Sequence, residues 1–369
     1  MLETVETTQI SAQGFFTLGR VGRRWVFLTP GRKPFFSLGL NHIDSSPLRY
    51  LENLSRWEHK YGNDSLRWIA ESVAPNLKQW GFNSVGWVQE ISIHQRAHTP
   101  SFTLEEYCAL QMPYCHLLPF IETHQWNGWH KNPDIFSQDF EDWCDYVARS
   151  QCTRLQKEAN LIGYFYSDCP TWVHIRHPET EWRGPMFDPE RLATEIGRGE
   201  LLHLAKRYYK VTHDAIRRYD PHHLILGDRY EVQEALPMEV VKAADPYVDV
   251  LSFQAFAEPV KYLSQWYQAS GKPVLWADGS HRRETVQDNS GKYLDGEYYL
   301  VDGKWFAETI ENLLQNPGVV GAHLCGGYIR NRYRRKGLID EEEQPDEIAI
   351  SEIQKGSQAV TDWLRQLES

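Results

Sequence analysis

Asp168 and Asp278 are the residues of this chain best placed to do chemistry. Asp168 ends the run LIGYFYSD, Leu161 to Asp168, and Asp278 follows PVLWA, Pro273 to Ala277. Each acid stands at the C-terminal end of an apolar run that reads as a buried strand. Pro170 stops the first run, because it cannot donate to a sheet ladder. One acid that gives a proton, with one carboxylate that attacks or activates water, suffices to break a glycosidic bond. The plainer alternative is an Asp that opens a turn.

Other polar groups stand at the ends of similar runs. They are Asn41, His42 and Asp44; Trp87 and Glu90; Glu122 and His124; Asp228 and Arg229; Gln254; His281; and Tyr328. Acids, amides and imidazoles exchange hydrogen bonds with hydroxyls, and aromatic faces cover the C–H surface of a sugar. A carbohydrate substrate is therefore expected. Arg229 or His42 should bond a pocket carboxylate or the substrate, since a nearby cation keeps an acid ionised. Cys169 to Pro189 is a long segment after its strand. At least one of its Trp172 and Trp182 is expected to line the cleft, because long loops at such a place usually carry function.

Several chemistries are unsupported. Gly-x-Ser-x-Gly and the phosphate-binding loop are absent. His94 and His98 are spaced i, i+4 but lack the Glu of HExxH. His42, His124 and Asp228 could gather a metal, yet no His-x-His stands on the first strand; no metal or other cofactor is expected. The six cysteines form no C-x-x-C pair and read as reduced, buried thiols. Cys169, beside Asp168, is either a nucleophile or a thiol packed behind the acid.

The elements that must hold these groups repeat. Eight short apolar runs alternate with helical stretches: Phe35 to Ile43, Phe82 to Val88, His116 to Ile121, Leu161 to Tyr166, His223 to Gly227, Val248 to Phe253, Pro273 to Ala277 and Val319 to Leu324. Helices are expected over Ser65 to Trp80, Asp139 to Glu158, Pro189 to Tyr219 and Ile348 to Leu367. This pattern predicts an α/β fold, a (β/α)₈ TIM barrel whose strand ends converge on one pocket. Phe15 to Leu18 and Arg24 to Leu28 predict a short N-terminal β-hairpin. Residues 1–12 read as a frayed tail and 13–369 as a single barrel domain. Asp340 to Glu347 reads as a solvated charge run. The 369 residues hold 39 Lys and Arg against 50 Asp and Glu, a net charge of −11. That excess argues against nucleic acid or an anionic membrane as partner. No leader or membrane-length apolar run is visible, so a cytoplasmic location is expected. Oligomeric state stays open.

PFFSLGLNHID, the WGFNSVG run from Trp80 to Gly86, LIGYFYSD and KPVLWADG resemble the barrel of agarase-like glycoside hydrolases of family 50. The resemblance spans about Phe15 to Asp340. It implies cleavage of β-linked galactose-type chains by a retaining barrel, with a Glu acid/base after strand four and a Glu nucleophile after strand seven. In a gapless match Asp168 falls on the family's Asn, Cys169 on its acid/base Glu, and Asp278 on its nucleophile. The resemblance implies an O-glycoside hydrolase with Asp278 as nucleophile or base; the strand-end position makes Asp168 the general acid, which agrees with the resemblance if the acid role has moved one position. Two further readings stand beside it: a catalytically silent sugar-binding barrel whose acid/base was lost to Cys169, and a metal-dependent barrel hydrolase. Shortening Glu to Asp on both strands would widen the carboxyl gap by up to about 3 Å, which favours inversion.

Overall fold

A computed structural model of the chain describes residues 6–7, 14–90, 99–121, 133–170, 172–173, 189–232, 236–287 and 297–368. Eight parallel strands close into a barrel. In order they are Ser37–Leu40, Ser84–Val85, Tyr114–Leu117, Leu161–Asp168, Leu224–Glu231, Leu251–Gln254, Val274–Gly279 and Val319–Leu324, and the eighth pairs back onto the first. This is the (β/α)₈ barrel expected from the apolar runs. Every residue of the fourth, seventh and eighth strands is buried, as a sheet covered on both faces requires.

The barrel interior is filled by Leu117, Ile162, Phe165, Leu224, Leu226, Val250, Leu275 and Val320. Phe16, Leu18, Trp25 and Phe27 of the N-terminal hairpin, Thr17–Val21 with Arg24–Leu28, join the same cluster. The Trp25 amide donates to Pro317 O at 2.8 Å, and Arg24 Nη1 to Asn316 O at 2.8 Å. Both acceptors precede the eighth strand, so the hairpin plugs the end where strands begin. The opposite end is left to the site. Glu6–Thr7, inside the stretch read as a frayed tail, pairs with the hairpin opposite Arg20 and Gly19.

Several boundaries moved for local reasons. The third strand ends at Leu117, because Pro119 cannot enter a ladder. The helical stretch from Ser65 to Trp80 contains a π-turn at Ile69–Val73, ahead of Pro75, which has no N–H to give to the preceding turn. Ser137 and Thr194 cap the helices Gln138–Leu155 and Glu195–Tyr219, their side-chain oxygens accepting from Phe140 N and Gly197 N. After the seventh strand an antiparallel hairpin, Arg282–Gln287 with Glu297–Val301, was not foreseen. RRETVQ is mostly exposed and has no apolar alternation to announce it. The charge run is only partly solvated. Glu341 is fully buried, and Glu343 accepts from Lys60 Nζ at 2.7 Å and from the Tyr61 hydroxyl. Among the described residues no helix is long and apolar enough to cross a membrane.

Candidate active site

The C-terminal strand ends surround a cavity of about 680 Å³. Asp168 and Asp278 both line it, with His42, Gln254 and His281 from the sequence-predicted set. Phe256, Tyr299 and Tyr333 offer it aromatic side chains. A cleft of this size with a few converging polar groups is what a small ligand or a sugar residue needs.

The two acids are tied together by Arg229. Its strand, read as ending at Gly227, continues to Glu231. Gly227 adopts φ 64°, a left-handed conformation that suits glycine. The register shifts there, from Phe165 opposite Gly227 to Asp168 opposite Arg229. Asp228 consequently faces the helices, where Ser167, Tyr208 and Tyr209 donate to it. Arg229 faces the barrel axis, fully buried. Its Nη2 lies 2.8 Å from Asp168 Oδ1 and 3.7 Å from Asp278 Oδ2. Those two oxygens are therefore no farther apart than the sum of these distances, 6.5 Å. Gln254 Nε2 also donates to Asp168 Oδ1, leaving Oδ2 as the oxygen less engaged. The guanidinium lies 4.1 Å from the Trp87 ring centroid. Trp87 is thus buried under a cation, where it supports Arg229.

Asp278 is held from the other side by Asn41, whose Nδ2 donates to Asp278 Oδ1 at 2.6 Å and to Ala277 O at 2.8 Å. Asn41 Oδ1 accepts from Trp87 N at 2.7 Å. This approach needs Gly86, since a Cβ there would overlap Asn41 Oδ1. Burial alone would raise the Asp278 carboxyl, but Arg229 and His42 hold it well below the usual carboxylate range.

His42 sits in the left-handed region at φ 62° and Cys169 at φ 48°. Two non-glycine residues in that conformation, both at strand ends lining one cavity, are strain of about 1–3 kcal/mol each. The His42 ring bonds Gln89 O through Nδ1 at 2.7 Å, so Nε2 faces Asp278 Oδ2 at 3.8 Å and Cys325 Sγ at 3.6 Å. Burial and Arg334 oppose its protonation. Cys325, Glu90 and Asp278 prevail and push it up to about 9. The Cys325 thiol moves the other way: burial and Asp278 raise it, but Lys336, Arg334 and His42 bring it below its ordinary value. The two shifts run towards the charged forms, imidazolium and thiolate.

His42, Asp278 and Cys325 are also the grouping among the described residues that could hold a metal, their donor atoms lying within 4.8 Å of one another. The donor set fits poorly. Arg334 Nη1 donates to Cys325 Sγ at 3.3 Å, Lys336 Nζ lies 3.6 Å from it, and Arg229 faces Asp278. Three cations already occupy the space a divalent ion would need to neutralise.

Three other predicted residues fall elsewhere. Glu90 is buried behind the cavity, both its oxygens accepting from Arg334 Nε at 2.8 and 2.7 Å. Tyr328 points into the helical layer, its hydroxyl between Ser72 and Asn76 and its ring stacked on Trp80. Trp172 packs against Tyr208 and Tyr209 on a helix, at centroid distances of 5.6 and 5.9 Å. Glu122, His124 and Trp182 lie outside the described residues. The sequence reading passed over Glu231, Cys325, Arg282, Arg332, Arg334, Arg335 and Lys336, all of which line the cavity. The run RNRYRRK, Arg330 to Lys336, carried a signal in its charge: five cations in seven residues of an acidic chain.

No family model matches this chain. It is 27% identical over 126 residues to beta-agarase B of Vibrio sp. (strain JT0107), a match covering 32% of this chain and 13% of that protein. Among solved structures, an exo-beta-agarase is similar with TM-score 0.72 at 15% identity, covering 98% of this chain and 66% of that one. The agarase AgWH50C is similar with TM-score 0.70 at 16% identity, covering 97% and 65%. The resemblance read from four motifs thus extends to the whole barrel. At these identities it is a likeness of fold, and the chain spans about two thirds of the agarases' length.

Proposed function

We propose that this chain is an O-glycoside hydrolase acting on a β-linked galactose-type or related oligosaccharide or polysaccharide. Asp278 serves as nucleophile or base and Asp168 as general acid. The observation that carries this reading is the pairing of two carboxylates, from strands four and seven, across one Arg229 at the floor of a sugar-sized cavity. Asp278, kept ionised by Arg229 and His42, is suited to attack. Asp168 keeps Oδ2 for proton transfer to the leaving oxygen. The agarase likeness supports the substrate class.

A second reading has its own support. Cys169 stands where the resemblance puts the acid/base Glu, and burial and Asp168 push its thiol well above the ordinary range. A barrel that binds sugar without cleaving it fits that exchange. Aryl β-galactosides and β-linked galactan oligosaccharides, incubated with and without chelator, separate the readings. Turnover that survives chelation and is lost in Asp278→Asn supports hydrolysis. Binding without turnover supports the silent barrel.

A further inference from the structure

The cavity lining holds more cations than carboxylates, the reverse of the chain as a whole. Three carboxylates line it, Asp168, Glu231 and Asp278, against five cations, Arg282, Arg332, Arg334, Arg335 and Lys336. The whole chain has a net charge of −11. Two of the cations are matched from behind: Arg334 by Glu90 and Arg332 by Glu52. Lys336 and Arg282 are not, having no carboxylate partner among the described residues. Lys336 Nζ donates to Ser280 Oγ at 2.8 Å. Arg282 Nη1 donates to Thr285 Oγ1 at 2.9 Å, and its guanidinium lies 3.7 Å from the Tyr299 centroid. The Cys325 sulfur near Lys336 is shared with His42 and Arg334.

The position of Lys336 matters as much as its charge. Its ammonium lies 3.6 Å from Cys325 Sγ, which lies within 4.8 Å of the Asp278 carboxylate. The ammonium is therefore no farther than the sum, 8.4 Å, from the carboxylate assigned to attack the sugar. A pyranose with its anomeric carbon at Asp278 brings a ring substituent, or its neighbour's, within reach of that ammonium. A half-buried cation without a carboxylate partner gains from an anion that joins it out of water. A cleft with an excess of one sign near its mouth also concentrates ligands of the other.

We propose that the sugar taken by this site is anionic, with its carboxylate or sulfate seated on Lys336 and Arg282 at the rim. This rests on the glycosidase reading and narrows its substrate to uronates or sulfate esters. Neutral galactan chains are then the poorer ligands.

The test uses the full chain and three matched substrates: an aryl β-galactopyranoside, its uronide, and its 6-sulfate. Titration calorimetry with neutral, uronic and sulfated galactan oligosaccharides runs in parallel. One anionic form is expected to exceed the neutral one at least about tenfold in kcat/KM or affinity, and to lose that margin as salt screens the contact. Which form wins distinguishes carboxylate from sulfate. Lys336→Gln should bring the anionic substrate down to the neutral rate, and Lys336→Arg should restore part of the margin. If Lys336→Gln melts early, Arg282→Gln, on the exposed hairpin, reports the same loss of charge. Neutral substrate turned over or bound as well as both anionic ones overturns this inference and leaves the glycosidase reading standing. A preference untouched by both variants overturns the assigned seat. Failure to bind or cleave all three substrates overturns the glycosidase reading and this inference together.

Discussion

The guanidinium of Arg229 meets Asp168 across the barrel mouth, Nη2 to Oδ1 at 2.8 Å, with both side chains nearly out of solvent. A buried pair of this kind adds little over a well-packed apolar pair, but breaking it strands a charge. Here the Asp278 carboxylate would be left exposed to the same loss, since the same Nη2 also faces it.

Arg229→Met is therefore expected to cost about 3–5 kcal/mol of stability and to abolish turnover. Asp168→Asn in that background should recover part of the loss. Urea unfolding of the two single variants and the double variant measures the coupling. Additive losses would mean that Arg229 and Asp168 are not coupled.

His42 makes a pH-dependent contribution. Its folded pKa, about 9, lies above the ordinary 6.5, so the folded state binds the proton more tightly than the unfolded one. The stabilisation is complete below about 6.5 and is lost as pH rises through about 9. At 1.36 kcal/mol per unit it amounts to about 3 kcal/mol. His42→Asn keeps a residue that tolerates the left-handed backbone and removes the charge. Wild type should exceed this variant in stability most at or below pH 6.5, and the gap should close towards pH 9–10. Denaturant midpoints across that range check it; a gap that stays constant would mean that His42 is neutral in the fold.

Trp172 is expected to behave as a packing residue. It lies against Tyr208 and Tyr209, away from the cavity. Trp172→Ala should lower stability by about 3–5 kcal/mol, with KM within about twofold of wild type. A large rise in KM with an unchanged melting temperature would return it to the cleft.

The barrel was legible because parallel strands buried on both faces must be mainly apolar without alternation, and the eight runs are. Asp168, Asp278, Gln254 and His42 were legible for a related reason: a polar residue at the C-terminal end of such a run sits at the mouth. Asp228 shows where that logic stops. It follows the apolar run HLILG as closely as the others follow theirs, but the register shift at Gly227 turns it to the helices and turns Arg229 to the axis. One left-handed glycine decides which of two adjacent charges reaches the site. Tyr328 lies beyond its strand by several residues, and the loop carries it back among Trp68, Trp80 and Ser72. The cations of Arg332 to Lys336 reach the cavity through an irregular loop, which follows neither period two nor period 3.6.

The stereochemistry follows from the distance between the acids. Retaining glycosidases hold their carboxyls about 5–5.5 Å apart and inverting ones about 6.5–9.5 Å, the extra room admitting a water. Side-chain length alone favours the wider gap, because Asp is one bond shorter than Glu on each strand. Arg229 works against that. By facing both acids with one nitrogen it limits Asp168 Oδ1 and Asp278 Oδ2 to at most 6.5 Å, the lower edge of the inverting range. Direct attack by Asp278 on the anomeric carbon is the outcome that gap favours. The first-formed product should carry the anomeric configuration of the substrate, read by proton NMR before mutarotation. A first product of opposite configuration would show a water between acid and sugar and would make Asp278 a base. Asp278→Asn should lower kcat by about 10³-fold or more under either mechanism. Near-full activity in that variant would remove Asp278 from the chemistry altogether.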